Sequence, residues 1–347
     1  MGLNEFLREI PKGIHIVDAG IYAANTLGIE QRPPAALQVA DRAAISSLVR
    51  IASAHSVRLN AVSTGKNWGY GSALSADREA IIVDLSLLKS VNFNVSDETV
   101  TLEPGVTQGQ LFAYLRDSNL PFMAPTTGAG PNVSIMGNAL ERGYGVTPIE
   151  DHWSAVVRLE AVLADGSIYR PAMQELTGSC HWHWDIGPYM QGLFAQSALG
   201  IVTEITLRLY PRPETTGFFY AKSADLGQLI RFAKSMRKLE FVKGVNIMNG
   251  LRVAGIAQDS RPKPYWTLVG TFYTPTIFVR VLKAFIRTAA SREKLRVTTI
   301  DQTLFRRFRW LLRRMSKQMH KLVGEFFKAV DGEPTTINLN LVRGEHN

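Results

Sequence analysis

Apolar residues along the first two hundred positions fall into two rhythms, a period of two and a period near 3.6, separated by short polar turns. Ala36 to Ala40 (A-L-Q-V-A) reads as a short strand after Pro33 and Pro34. Asp41 stands where an N-cap is expected, and Ala44, Ile45, Leu48, Val49 and Ile51 behind it form a helical stripe. Val57 to Val62 and Ile81 to Leu85 return to strand. Glu98 to Glu103 alternates, which predicts that Val100 and Leu102 are buried. Pro104-Gly105 is a turn and Gln108 to Asp117 a helix. The order strand, helix, strand, loop predicts an α+β arrangement with a ligand loop at a strand end.

From Pro121 to Gly145 neither rhythm is evident, and the stretch holds Gly128, Gly130, Gly137, Gly143 and Gly145. A loop of that length in a compact domain usually serves function. Strands follow at Val156 to Leu163 and Ser167 to Arg170, joined by an Asp165-Gly166 turn. Ile201 to Tyr210 reads as a half-buried strand, ended by Pro211-Arg212-Pro213. A domain boundary is expected there, dividing residues 1–213 from 214–347. Beyond it, Gly217 to Ala221, Trp266 to Phe272 and Leu295 to Ile300 are strand-like, and Leu226 to Leu239 and Thr276 to Ala290 are helical. The last expected helix spans Leu304 to Lys328. Its apolar side is Leu304, Phe308, Leu311, Met315, Met319, Leu322 and Phe326, a stripe suited to packing on a sheet.

Composition narrows the class. The 347 residues are 46% hydrophobic and 20% charged, the balance of an ordinary globular chain large enough for two domains. No apolar run reaches the roughly 18 residues of a membrane span, and the first 30 residues lack a secretory pattern. Cys180 is the single cysteine, so there is no intrachain disulfide, and a cytoplasmic location is the default expectation. The net charge of +9 is local. Arg306, Arg307, Arg309, Arg313, Arg314, Lys317, Lys321 and Lys328 face only Glu325 within the last expected helix. Such a patch suits a polyanion or a membrane surface, but a solvated helix face is the simpler reading, and no nucleic-acid partner is expected.

The chemistry concentrates in S-T-G-K-N-W-G-Y-G-S, residues 63–72. Successive amides around glycines can form an anion-binding concavity. The loop matches neither the nucleotide P-loop, since no second glycine precedes a lysine, nor the dinucleotide fingerprint, since Leu74 stands where a third glycine belongs. By itself it is equally a tight turn. Five ordered blocks change the weight: the loop; V-T-L-E-P-G-V-T (100–107); G-N-A-L-E-R-G-Y-G-V-T-P-I-E-D-H-W (137–153); L-E-A-V-L-A-D-G-S-I-Y-R (159–170); and G-P-Y-M-Q-G-L-F-A-Q-S-A-L-G-I-V-T-E-I-T-L-R-L-Y-P-R-P (187–213). With these the chain resembles the vanillyl-alcohol oxidase and p-cresol methylhydroxylase flavoproteins over residues 30 to 215; the second part matches in layout alone.

The resemblance implies a PCMH-type FAD-binding domain of two α+β subdomains, followed by a partial α+β cap domain for substrate. It implies that Thr64, Gly65, Lys66, Asn67, Trp68, Gly69, Tyr70 and Gly71 wrap the FAD pyrophosphate. Ser134, Gly137, Asn138, Glu141, Arg142, Gly143 and Gly145 would line the flavin and its ribityl chain. Asp151 and His152 would contact cofactor or pack its domain, and Gly200, Ile201 and Val202 would meet it by main chain. Tyr70 occupies the position that binds a phenolate oxygen in phenol-oxidising members, or it packs on the flavin. The implied reaction is hydride transfer from a phenolic or other small alcohol-type substrate to flavin N5, with oxygen or an electron-acceptor protein as oxidant. A homo-oligomer is left open.

Three departures temper this. Residues 124–136 (A-P-T-T-G-A-G-P-N-V-S-I-M) carry no acid, where phenol-oxidising members often have an aspartate. No histidine follows the first glycine loop to anchor the flavin covalently. The chain ends soon after D-G-E-P-T (331–335), with His346 near its terminus; family members continue further, so a fragment, or a flavin-binding but catalytically incomplete subunit or remnant, is the competing expectation. Cys180, His181, His183 and Asp185 lie within six residues, but structural zinc sites pair such a cluster with a second one, and no metal is expected.

Overall fold

The computed structural model describes residues 2–145, 147–178, 183–256, 264–305, 324 and 326–335, with Tyr70, Gly255 and Ile256 described by backbone alone. The expected basic helix falls largely outside the described residues, as do Cys180, His181 and His346.

The first sheet has four strands in the order Ile14–Val17, Ala36–Val39, Ile81–Asp84, Leu59–Val62. The last three are mutually parallel, and the helix Ala44–Ala54 makes the crossover. Ile81–Asp84 lies inside the sheet and is buried at every position, which is why it reads as an apolar run without alternation. Ile45 and Leu48 on the inner face of that helix are fully buried; each contributes about 1.5–3 kcal/mol by leaving water. The helix begins at Ala44, with Ala43 as its N-cap. Asp41 acts slightly earlier, its carboxylate accepting from the Ala43 amide at 2.9 Å within a tight lead-in turn.

The second sheet is antiparallel, in the order Val91–Asn94, Thr99–Leu102, Gly200–Arg208, Val156–Leu163, Ile168–Tyr169. Helix Gln108–Asp117 lies where the sequence places it, started by a reciprocal Thr107–Gln110 capping box. Val100 and Leu102 are fully buried, as the alternation predicts. Strand Gly200–Arg208 departs from its half-buried expectation. Thr203 and Thr206 are buried as well, satisfied by the Glu160 carboxylate at 2.8 Å and the Thr101 hydroxyl at 2.8 Å. Both faces of that strand are covered, and hydrogen-bonded threonines are the polar residues a buried pleat tolerates. Val162 and Ile201 of the second sheet pack into the core of the first, so the two subdomains share a seam.

A third sheet, Val242–Met248, Trp266–Thr274, Thr215–Ser223 and Val297–Asp301, draws only on residues beyond Pro213. Helices Leu226–Met236 and Val279–Arg292 cover one face of it. Strand Val242–Met248 and helix Gly250–Ile256 were not expected from the sequence. Among the described residues no helix is long and apolar enough to cross a membrane.

Candidate functional site

The parallel strands of the first sheet place their carboxyl ends along one edge, where ligands bind in open α/β sheets. Loop 63–74 leaves that edge after Leu59–Val62. Gly65 (φ +64°) and Gly71 (φ +95°) hold left-handed conformations that disfavour other residues. Between them the chain folds into a short turn, with the Trp68 amide donating to Lys66 O at 3.0 Å and the Ser72 amide to Asn67 O at 2.7 Å. Thr26 fastens the loop from outside, its hydroxyl donating to Trp68 O at 2.7 Å.

The amides of Thr64, Gly65, Lys66 and Asn67 have no protein acceptor among the described residues, although these residues are only partly exposed. Half-buried N–H groups left without an acceptor are uncommon. Lys66 likewise has no ion-pair partner among the described residues.

These groups face a cleft of about 670 Å³ between the two sheets. Residues 64–69 form one wall together with Ser53 and Leu59. The opposite side is built by the helix Ile135–Leu140 and the strand opening at Gly200. That helix was not expected from the sequence, because Gly137 interrupts its pattern. A Cβ at Gly137 would lie 2.5 Å from Ser63 Oγ. Ser134 caps the helix, accepting from the Gly137 amide at 2.9 Å while its hydroxyl donates to Pro104 O at 2.7 Å. Its amide donates to Thr64 Oγ1 at 3.3 Å, tying the two loops together.

Of the residues singled out from the sequence, 64–69, Ser134, Gly137, Asn138, Glu141 and 200–202 line this cleft. Glu141 sits at its rim, where partial desolvation holds the carboxyl above its ordinary range. Gly71 closes the loop turn and does not line the cleft. The side chain of Tyr70 lies outside the described residues.

Arg142, Gly143, Gly145, Asp151 and His152 do not line the cleft either. Arg142 holds the left-handed position (φ +52°) that ends the helix. Asp151 accepts from the Trp153 amide at 3.1 Å and so starts a short turn. Gly143 and Gly145 allow close packing: a Cβ on the first would lie 2.0 Å from Asn138 Oδ1, and on the second 2.1 Å from Thr126 O. His152 is buried, with Nδ1 hydrogen-bonded to Asn138 Oδ1. Burial pushes its pKa down to about 4, so the ring is neutral near pH 7.

Sequence reasoning missed Phe194, the stretch Gln196 to Leu199 and the end of strand Val156–Leu163, all of which line the cleft. The signal was present in the long block 187–213, of which only the last glycine and its two neighbours were singled out. Asp185 accepts from the amides of Ala172 and Met173 at 2.8 Å each, and His183 Nδ1 lies 2.7 Å from Val156 O. Both are thus used in local structure, and no metal-ligand cluster occurs among the described residues.

Residues 33–171 match the family described as FAD binding domain. The chain is 38% identical over 240 residues to 1'-carboxy-chondrochloren decarboxylase of Chondromyces crocatus, covering 68% of this chain and 42% of that protein. It is 32% identical over 264 residues to the 4-cresol dehydrogenase [hydroxylating] flavoprotein subunit of Pseudomonas putida, covering 72% and 49%. The matches thus take in about half of the relatives' own length or less. In fold, p-cresol methylhydroxylase with substrate bound superposes with a TM-score of 0.84 at 22% identity, covering 98% of this chain and 72% of that one. The 4-ethylphenol oxidase of Gulosibacter chungangensis gives 0.83 at 24%, covering 99% and 71%.

Proposed function

We propose that this chain, which belongs to the PCMH-type FAD-binding family, is the FAD-binding part of an oxidoreductase acting on a phenolic or other small alcohol-type substrate. One observation carries the reading: four consecutive amides, Thr64 to Asn67, have no protein acceptor among the described residues and, with Lys66, line a cleft between two subdomains. That donor set fits a pyrophosphate, since successive N–H groups and an ammonium complement two adjacent negative charges.

In this reading residues 64–69 hold the pyrophosphate. Ser134, Gly137 and Asn138 hold the middle of the cofactor, and main chain at 200–202 closes the far wall. Bound FAD supplies a hydride acceptor. The chain's own residues orient it and exclude water along the apolar seam of Val162 and Ile201. Tyr70, in the same loop, is assigned to the substrate's phenolic oxygen, from its place in the G-Y-G triplet. If the electron acceptor is a protein, the excess of Arg and Lys in the sequence of 306–328 suits docking of an acidic one.

The visible absorption spectrum of the purified chain, before and after acid precipitation, tests the reading. Flavin bands that move to the supernatant on precipitation are expected, meaning tight but non-covalent FAD. A colourless chain that added FAD does not restore overturns it. The 38% identity to a decarboxylase favours a second reading, oxidative loss of CO2 from a carboxylated substrate. Release of CO2 from a phenolic acid, with no turnover of the matching alkylphenol, would select it.

A further inference from the structure

His152 is buried, yet among the described residues it is used on one nitrogen alone. Its Nδ1 lies at hydrogen-bond distance from Asn138 Oδ1. An amide oxygen can only accept, so Nδ1 carries the proton and Nε2 is left as a bare acceptor. Nε2 has no partner among the described residues. It abuts Gly145, where a Cβ would stand 2.7 Å from it. The reverse tautomer would bury an N–H without an acceptor and set two lone pairs against each other at Nδ1, so packing and hydrogen bonding select the same form.

The consequence falls on Asn138. Its Oδ1 is occupied by the histidine behind it, and Gly143 closes over the amide at a distance only glycine permits. Asn138 lines the cleft and His152 does not. The amide nitrogen has no acceptor among the described residues. The hairpin that carries His152 is itself pinned, with the His152 amide donating to Gly143 O at 3.0 Å and the Gly145 amide to Glu150 O at 2.9 Å.

We infer that His152 is a positioning residue: a neutral imidazole protonated on Nδ1 that fixes the orientation of the Asn138 amide, so that this side chain presents N–H donors to the bound cofactor. The inference rests on the FAD reading of the cleft for the identity of the acceptor, but not for the tautomer or the orientation of the amide.

Two measurements test it. In the ¹⁵N-histidine spectrum of the full chain without FAD, His152, assigned by its loss in His152→Asn, should carry its proton on Nδ1 at neutral pH. That signature should change in Asn138→Ala. A proton on Nε2 overturns the inference. In FAD titrations followed by flavin fluorescence, His152→Leu should raise Kd about fivefold to tenfold, the size of one hydrogen bond. His152→Asn, whose amide nitrogen can stand where Nδ1 stood, should return to within about twofold of the original. Asn138→Ala should cost as much as His152→Leu, and the double variant no more than either, because the two act as one unit. Additive losses, or a folded His152→Leu with unchanged Kd, overturn it. If His152→Leu does not fold, the spectrum together with His152→Asn and Asn138→Ala decides. A chain that binds no FAD in any form overturns the cofactor reading and the donor role with it, whereas an Nε2–H histidine in a chain that does bind FAD overturns this inference alone.

Discussion

The two glycine loops of the cleft use the same residue for opposite reasons. In loop 63–74, Gly69 has nothing within 4 Å of where a Cβ would stand, and at Gly65 the nearest atom is Ala73 Cβ at 3.4 Å. At these two positions glycine is not supplying space; Gly65 supplies a left-handed backbone and Gly69 an open surface. In the second loop, hypothetical Cβ atoms on Gly137, Gly143 and Gly145 would lie 2.5, 2.0 and 2.1 Å from protein atoms. Glycine there lets the chain press against itself. In our proposal the first loop is shaped for the cofactor, and the second for the wall on which the cofactor rests. The first should therefore be sensitive in binding and the second in stability.

The largest effect that could break this contrast is at Gly145. Gly145→Ala puts a methyl against the Thr126 carbonyl, a backbone atom that cannot swing aside. The urea midpoint should fall by the equivalent of about 3 kcal/mol. An unchanged midpoint would mean that the second loop is as open as the first.

Acid should act on the same wall. The pKa of His152 lies near 4 in the folded chain, below the ordinary histidine value. The unfolded chain therefore takes up the proton first as pH falls, and stability should drop between about pH 6.5 and 4, approaching a loss of about 3 kcal/mol. The stabilisation is fully present above pH 6.5. Comparing urea unfolding at pH 7 and pH 5 for the original and for His152→Asn isolates this contribution, which should vanish in the variant.

Gly65→Ala is intermediate. The left-handed φ of +64° costs a non-glycine residue about 1 kcal/mol, without a backbone collision. The melting temperature should fall by a few degrees, and FAD affinity by more than the strain alone accounts for. Gly69→Ala is the smallest in stability, within about 0.5 kcal/mol, because its surroundings are empty. A weaker FAD Kd in the Gly69→Ala chain with an unchanged melting point would sharpen the contrast. Equal insensitivity of both would mean that position 69 faces plain solvent.

The division between 1–213 and 214–347 remains our proposal. It gains support from the strand pairing, since the sheet built from Thr215–Ser223, Val242–Met248, Trp266–Thr274 and Val297–Asp301 borrows no strand from the first part. The two parts nevertheless touch. The Glu150 carboxylate accepts from Tyr144 at 2.6 Å and from the Gly244 amide at 2.5 Å. The hairpin behind Asn138 is thereby clasped to the second part.

Much of this was legible in the chain itself. Periodicity alone located helix Gln108–Asp117, strand Val156–Leu163 and the burial of Val100 and Leu102, because side-chain alternation is a local consequence of backbone geometry. The ordered glycine blocks pointed to FAD, and the positions 64–69, Ser134, Gly137 and Asn138 proved to share one cleft. What periodicity could not reach were elements whose reasons are distant. Helix Ile135–Leu140 contains a glycine that local propensity disfavours, set where a Cβ would meet the Ser63 hydroxyl, some seventy residues away. Thr206 reads as solvent-facing until the Thr101 hydroxyl is set opposite it. His152 and Asn138 are fourteen positions apart, and only the folded hairpin makes one ring nitrogen the guide of an amide. Composition and pattern determined which segments are strands, helices and ligand loops. Tertiary packing decided which polar atoms are satisfied by the protein and which are left for a ligand, because that depends on neighbours the chain meets only when folded.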